Sequence, residues 1–222
     1  MSKNALPADP TLDEIRVALA PVIGRHAGFD GWSEAAVHAA ADEMGVDRDV
    51  AMLAFKGKAI DMIDAWIEGV DLELAHRLPA EKLEAMKIRD RITALLATRL
   101  DIMAPDRESL RRALAIMAMP QNLPRAAKMG WRSADRMWRL AGDSATDLNH
   151  YTKRMTLSAV YGSTLSVFVN DDSENFADSR AFLDRRIDNV MQIEKVKYQA
   201  KQRKEFTPSL SRFIGRLRYP AR

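Results

Sequence analysis

The chain has 222 residues, 47% of them hydrophobic, with no cysteine and a formal net charge of +3. That length and apolar content suffice for a sizeable core and exclude a wholly disordered chain. The lack of cysteine excludes a disulfide framework, a thiolate metal site and a cysteine nucleophile.

Glycine and proline are sparse, and Ala, Leu, Met and Arg recur with a 3.6-residue period, so the expected fold is all-α. Residues 1–10 carry Lys3, Pro7, Pro10 and no apolar run. This reads as neither a secretory signal nor a membrane span, and the expected location is the cytoplasm.

Residues 11–69 read as a small unit of three short helices. Ile15, Leu19, Val22 and Ile23 form the first apolar stripe, Gly28 to Trp32 reads as a turn, and Ser33 caps a second helix with Glu34 in its first turn. Gly45 ends that helix before a third over residues 47–55, a helix-turn-helix spacing. Residues 70–200 read as a larger helical body, entered through a long helix carrying Ile60, Ile63, Ile67 and Val70. One helix is expected over residues 82–103, with Met86, Ile92, Leu95, Leu96, Leu100 and Met103 facing the core. Pro105 and Asp106 break the chain before Leu110, Leu114 and Met117, and Pro120 and Pro124 bracket a loop. Helices follow over residues 124–141 and 147–169. A last one, capped near Asp172 or Ser173, runs through Phe176, Leu183, Ile187, Val190 and Met191.

Residues 137–161 combine a helix end, a polar turn and a helix start with side chains that no fold requires there. Trp138 precedes the helix-stopping Gly142, Asp143 to Asp147 supply turn and cap chemistry, and Asn149, His150, Tyr151, Lys153 and Arg154 open the next helix. The stretch is a candidate recognition surface.

Charge is placed unevenly. From Lys195 onward the basic residues greatly outnumber Glu205, the one acid there. Within the tail, residues 201–222, Leu210, Phe213, Ile214 and Leu217 share one helical face, with Arg212, Arg216 and Arg218 beside it. That is the pattern of a short interfacial helix on an anionic membrane. A docking helix and a frayed tail are the alternatives.

Two sharper chemistries fail on the residues present. The third helix, with Asp47, Arg48 and Asp49 ahead of an apolar remainder, lacks the base-reading and phosphate-binding side chains of an operator reader. Glu73 and His76 have the spacing used in di-iron bundles, but no second such pair is present and the ligand count fails.

The central helices are rich in Met and small residues, including Met86, Met103, Met117, Met155, Ala159 and Gly162. An ordinary core and the lining of a lipid tunnel both fit, because Met adapts to irregular apolar shapes.

The three-helix N-terminal unit, the larger helical body and residues 137–154 resemble the Coq-nine family, TetR-like lipid-binding accessory proteins of ubiquinone biosynthesis, here as a bacterial member. The resemblance extends to Gly31-Trp-Ser-Glu34, Pro120-Gln-Asn-Leu-Pro124, Ala141-Gly-Asp143, Thr146-Asp147, Tyr151-Thr152 and Phe182-Leu-Asp-Arg-Arg-Ile187. It implies a TetR-like fold and a homodimer paired through the helices near residues 147–169 and 175–198. It turns the Met-rich lining into a lipid tunnel for an isoprenoid or phospholipid ligand, with no cofactor and no metal.

The implied role is non-catalytic: to take a quinone intermediate at the inner face of the cytoplasmic membrane and present it to the demethoxyubiquinone hydroxylase. The family's partner-binding patch maps onto Met137, Trp138, Asp147, His150, Tyr151 and Arg154. His150 stands where animal relatives have tryptophan, which keeps a flat ring and loses apolar area. Nucleic acid is not an expected partner. The alternative reading is a ligand-responsive transcriptional regulator of TetR type.

Overall fold

Thr11 starts the first helix with a capping box: its hydroxyl accepts from the Glu14 amide while the Glu14 carboxylate accepts from the Thr11 amide. The structure, a computed structural model, describes residues 6, 7, 9–55, 58–144, 146 and 148–206, with side chains through residue 193. Among these residues the regular structure is helical: α1 (Leu12–Asp30), α2 (Glu34–Met44), α3 (Arg48–Phe55), α4 (Ala59–Arg77), α5 (Ala80–Glu84), α6 (Ile88–Met103), α7 (Arg107–Met117), α8 (Leu123–Leu140), α9 (Leu148–Phe168) and α10 (Ala177–Phe206). No strand occurs among them. Short 3-10 turns at Ala104–Asp106, Pro120–Asn122 and Glu174–Phe176 lead into α7, α8 and α10.

Several local signals act where the sequence places them, and others do not: Ser33 stands at the N-cap of α2, but its hydroxyl donates to the Asp30 carbonyl (3.0 Å) and accepts from no helix amide. Gly45 ends α2 in the left-handed conformation, φ 68°. Asp47 caps α3 by accepting the Asp49 and Val50 amides. The turn expected from Gly28 does not occur there: α1 continues to Asp30, and Gly31, at φ 72°, turns the chain. Gly28 serves close approach instead, because a Cβ there would sit 3.1 Å from the Ser109 hydroxyl oxygen.

The helix expected over residues 82–103 is also interrupted, between α5 and α6. Arg91 holds the corner by donating to the Glu84, Met86 and Ala141 carbonyl oxygens (2.8, 2.9 and 2.7 Å), which satisfies helix-end acceptors from a distance.

One core runs through the whole body. Ile15, Leu19 and Ile23 of α1, Ile63 and Trp66 of α4, Leu95 of α6, Leu157 and Phe168 of α9, and Leu183 and Ile187 of α10 belong to a single buried cluster. The boundary expected at residue 69 falls inside α4, and the one at residue 200 falls inside α10. At the junction of α1, α4 and α7, the Trp32 indole donates to the Ser109 carbonyl (3.0 Å) and Ser109 Oγ donates to the Gly24 carbonyl (2.6 Å). The Trp66 indole packs so close to Gly24 that a Cβ would lie 2.4 Å from its Nε1.

On α3, Arg48 is held by both carboxylate oxygens of Asp42 (2.6 and 2.8 Å), and Leu53 is 66% exposed. No described helix is long and apolar enough to cross a membrane. The tail residues Leu210, Arg212, Phe213, Ile214, Arg216, Leu217 and Arg218 lie outside the described residues, as does Asp147.

Candidate functional site

The turn between α8 and α9 is pinned from inside. Gly142, at φ 86°, lets the chain reverse, and the Asp143 amide donates back to the Trp138 carbonyl at 2.9 Å. The Asp143 carboxylate then accepts from Lys153 Nζ (2.6 Å) and Arg154 Nη1 (3.1 Å), tying the turn to the first turns of α9. Arg154, 2% exposed, also donates to Asp135 on α8 (2.6 Å) and to the His150 carbonyl (3.0 Å). Trp138 is half-buried, its indole N–H donates to the Lys153 carbonyl (3.0 Å), and Lys153 Nζ lies 5.3 Å from its ring centroid.

Of the expected partner patch, therefore, Met137 and Arg154 are interior residues and offer no contact surface. Met137 is 1% exposed in the core, and Arg154 is enclosed because its guanidinium joins two carboxylates and a carbonyl. Tyr151 is 55% exposed. Its ring lies 5.1 Å from His150 and 6.0 Å from Trp131 of α8, and Trp131 and His150 are 6.2 Å apart. Leu148 and Met155 are exposed on either side of Tyr151, and Ala159 is exposed one turn further on. The register of α9 thus makes residues 148, 151, 155 and 159 one exposed, mostly apolar stripe.

The adjacent face of α9 lines a cavity of about 280 Å³ together with α4, α6, α7 and α8. Of the residues expected to line a lipid tunnel, Met103, Met117 and Gly162 border it. Met86, Met155 and Ala159 do not: Met86 sits exposed at the α5 to α6 corner, and the other two are on the outer stripe.

Part of the cavity's lining is polar and buried. Arg99, 1% exposed, pairs with the buried Asp71 carboxylate and donates through Nε to the Tyr161 oxygen (2.7 Å) and through Nη2 to Ser133 Oγ (3.0 Å). Burial pushes the Tyr161 phenol up, against the lowering influence of Arg99. Arg132 and Arg136 approach the same Asp71 carboxylate at 3.8 and 3.6 Å, while pairing with Asp64 and Glu68. The cavity's edge is apolar and small: Gly162 is exposed there, and a Cβ built on Gly162 or Gly130 meets nothing within 4 Å.

A second apolar cavity of similar volume lies along another face of α9, between Ile92, Leu157, Val160, Ile187 and Val190, with Trp138 at its margin. Glu73 is ion-paired with Arg77 at 2.7 Å, and no cluster of three or more potential metal ligands occurs among the described residues.

Residues 123–194 match the model of the COQ9 family, and this segment holds α8, α9 and much of α10. The chain is 31% identical over 178 residues to the ubiquinone biosynthesis protein COQ9 of Rattus norvegicus mitochondria, covering 77% of this chain and 57% of that protein. The Homo sapiens protein of the same name is 29% identical over 178 residues, with 77% and 56% covered. The chain belongs to the COQ9 family. It spans a little over half the length of these relatives. A TetR transcriptional regulator from Nitrosomonas europaea superposes with a TM-score of 0.63 at 22% identity, covering 83% of this chain and 99% of the regulator. The fold is therefore TetR-like, which by itself assigns no activity.

Sequence reasoning missed Trp131 and Leu148 at the exposed stripe and Arg99 and Tyr161 in the cavity. Trp131 was accessible, since it precedes Trp138 by two helical turns and shares its side of α8. Nothing local marks Arg99, whose partners Asp71, Ser133 and Tyr161 come from three other helices.

Proposed function

We propose that this chain is a non-catalytic lipid-binding accessory factor of ubiquinone biosynthesis, which takes an isoprenoid quinone intermediate from the membrane surface and presents it to the demethoxyubiquinone hydroxylase. The observation that carries this reading is the coincidence of two features on α9. Gly162, an exposed residue on the cavity's border, lies on the same helical face as the exposed stripe of Leu148, Tyr151, Met155 and Ala159. A partner seated on that stripe is beside the cavity that holds a bound lipid. Such a ligand is nearly insoluble in water, so a shielded route removes an access barrier without any bond chemistry by this chain. The names of the mitochondrial relatives support the pathway, and the apolar cavity supports the ligand class.

In this reading the protein works as a homodimer, peripherally attached to the inner face of the cytoplasmic membrane through its basic tail. An operator-binding role is the weaker alternative, because Arg48, the cation within α3, is already neutralised by Asp42.

The test is Tyr151→Asp. A carboxylate placed in a partner's apolar contact costs about 2 kcal/mol or more, roughly a thirtyfold loss of affinity. The variant is expected to lose capture of the hydroxylase while its melting temperature and extracted lipid match wild type, since Tyr151 is more than half exposed. Unchanged capture removes the stripe from the partner site. A lipid-free chain in every preparation, read by native and denaturing mass spectrometry, counts against the lipid role itself.

A further inference from the structure

The turn that leads from α8 into α9 is tied to the rest of the molecule from two sides. On the α9 side the tie is the Asp143 carboxylate, which Lys153 and Arg154 share. On the other side it is Arg91, in the first turn of α6. Each of its three guanidinium nitrogens donates to a backbone carbonyl: Nη1 to Ala141 at 2.7 Å, Nη2 to Glu84 at 2.8 Å and Nε to Met86 at 2.9 Å. Glu84 ends α5 and Ala141 caps α8, so one cation joins the carbonyl ends of two helices, where the helix dipole favours positive charge.

Packing between α6 and α9 does not supply this tie. The second apolar cavity, about 280 Å³, parts the start of α6, at Ile88 and Ile92, from Trp138 of α8 and from Thr152 and Lys153 of α9. Where a cavity separates two elements, a polar bridge beside it sets their spacing. Gly142 fits the same bridge, because it holds φ 86° and a Cβ there would lie 3.1 Å from Arg91 Nη1. The turn then fixes the first turns of α9: Asp143 follows Gly142 directly and receives Lys153 and Arg154, and Tyr151 lies two residues before Lys153.

We propose that Arg91 is a positioning residue for the partner surface: through the Ala141 carbonyl it fixes Asp143, and through Asp143 the start of α9, so that Leu148 and Tyr151 stand in the geometry the hydroxylase meets. This rests on the partner reading above and deepens it by assigning a residue outside the stripe that sets the stripe's geometry. Such a role has a kinetic signature. A loosened turn holds the binding geometry for only a fraction of the time, which weakens the apparent affinity by that fraction and slows association, whereas loss of a direct contact speeds dissociation.

The experiment passes the full chain over the immobilised hydroxylase, reads association and dissociation rates by surface plasmon resonance, and follows amide exchange by mass spectrometry. Arg91→Gln is expected to slow association about tenfold and to leave dissociation within about twofold of wild type, with faster exchange confined to the two helix ends it bridges and the start of α9. Arg91→Lys keeps the cation and loses the fork, so it should slow association about threefold, and it carries the same test if Arg91→Gln folds poorly. Arg89→Gln, which breaks the neighbouring ion pair with Asp188 (2.6 Å), should leave both rates unchanged.

Wild-type association in both Arg91 variants overturns the positioning role and leaves the partner reading standing. Faster dissociation with association unchanged makes Arg91 a direct contact and overturns it equally. Exchange that rises across the whole chain assigns Arg91 to the fold alone, with the same consequence. A wild-type chain that does not capture the hydroxylase removes both readings.

Discussion

The pair Arg99 and Asp71 is the strongest test of how this core is held, because both side chains are essentially enclosed (1% and 0% exposed). Removing one partner of such a pair typically costs about 3–5 kcal/mol, since the other charge remains buried without compensation. The two partners are not equivalent. If Arg99 is removed, Asp71 still accepts from Ser133 Oγ at 3.2 Å and keeps Arg136 and Arg132 at 3.6 and 3.8 Å. If the Asp71 charge is removed, Arg99 retains the hydroxyl oxygens of Tyr161 and Ser133.

Asp71→Asn is therefore expected near the upper end of the range, about 4–5 kcal/mol, and Arg99→Met near the lower end, about 3 kcal/mol. At about 3 °C per kcal/mol for a chain of this size, the melting temperature falls by roughly 13 °C and 9 °C. The double variant Asp71→Leu with Arg99→Met should recover to within about 1.5 kcal/mol of wild type, because an apolar replacement of a buried pair is close to neutral. Urea unfolding followed by circular dichroism measures all three. Equal losses in the two single variants, or a double variant worse than either, would refute this account of the core.

Asp171, almost fully buried, gives a pH signature. Burial alone raises its carboxyl, but the amides and hydroxyls of Ser173 and Ser179 donate to it and lower it from 3.8 to about 2. A carboxylate depressed in the folded state stabilises fully above its unfolded value and loses that contribution as pH falls towards 2. Asp171→Asn should thus cost about 2 kcal/mol at pH 7, with the gap to wild type narrowing between pH 4 and pH 2 in urea titrations. Gly24→Ala should cost about 1–3 kcal/mol by overpacking, since the new Cβ meets the buried Trp66 indole at 2.4 Å. Unfolding midpoints unchanged from wild type would show that the indole shifts freely.

The helical class and several of the punctuation points are legible in the order of residues alone. Gly45 and Gly142 act through hydrogen bonds and backbone angles within a few residues of themselves, so their consequences are local and legible. The family resemblance likewise located the segment that carries α8 and α9.

Tertiary structure alone decided which side of each helix does what. Helix α9 carries apolar or small side chains on most of its circumference, so its period does not say that Tyr161 and Gly162 border a cavity while Met155 and Ala159 face outward. Arg91 ends one helix and begins another through carbonyls up to 50 positions away, and Arg154 looks like a surface residue until Asp135 and Asp143 close over it. Arg99 owes its place to Asp71, Ser133 and Tyr161, which only the folded chain brings together. A charged side chain is buried when distant partners satisfy it, and the spacing of residues along the chain carries no record of those partners.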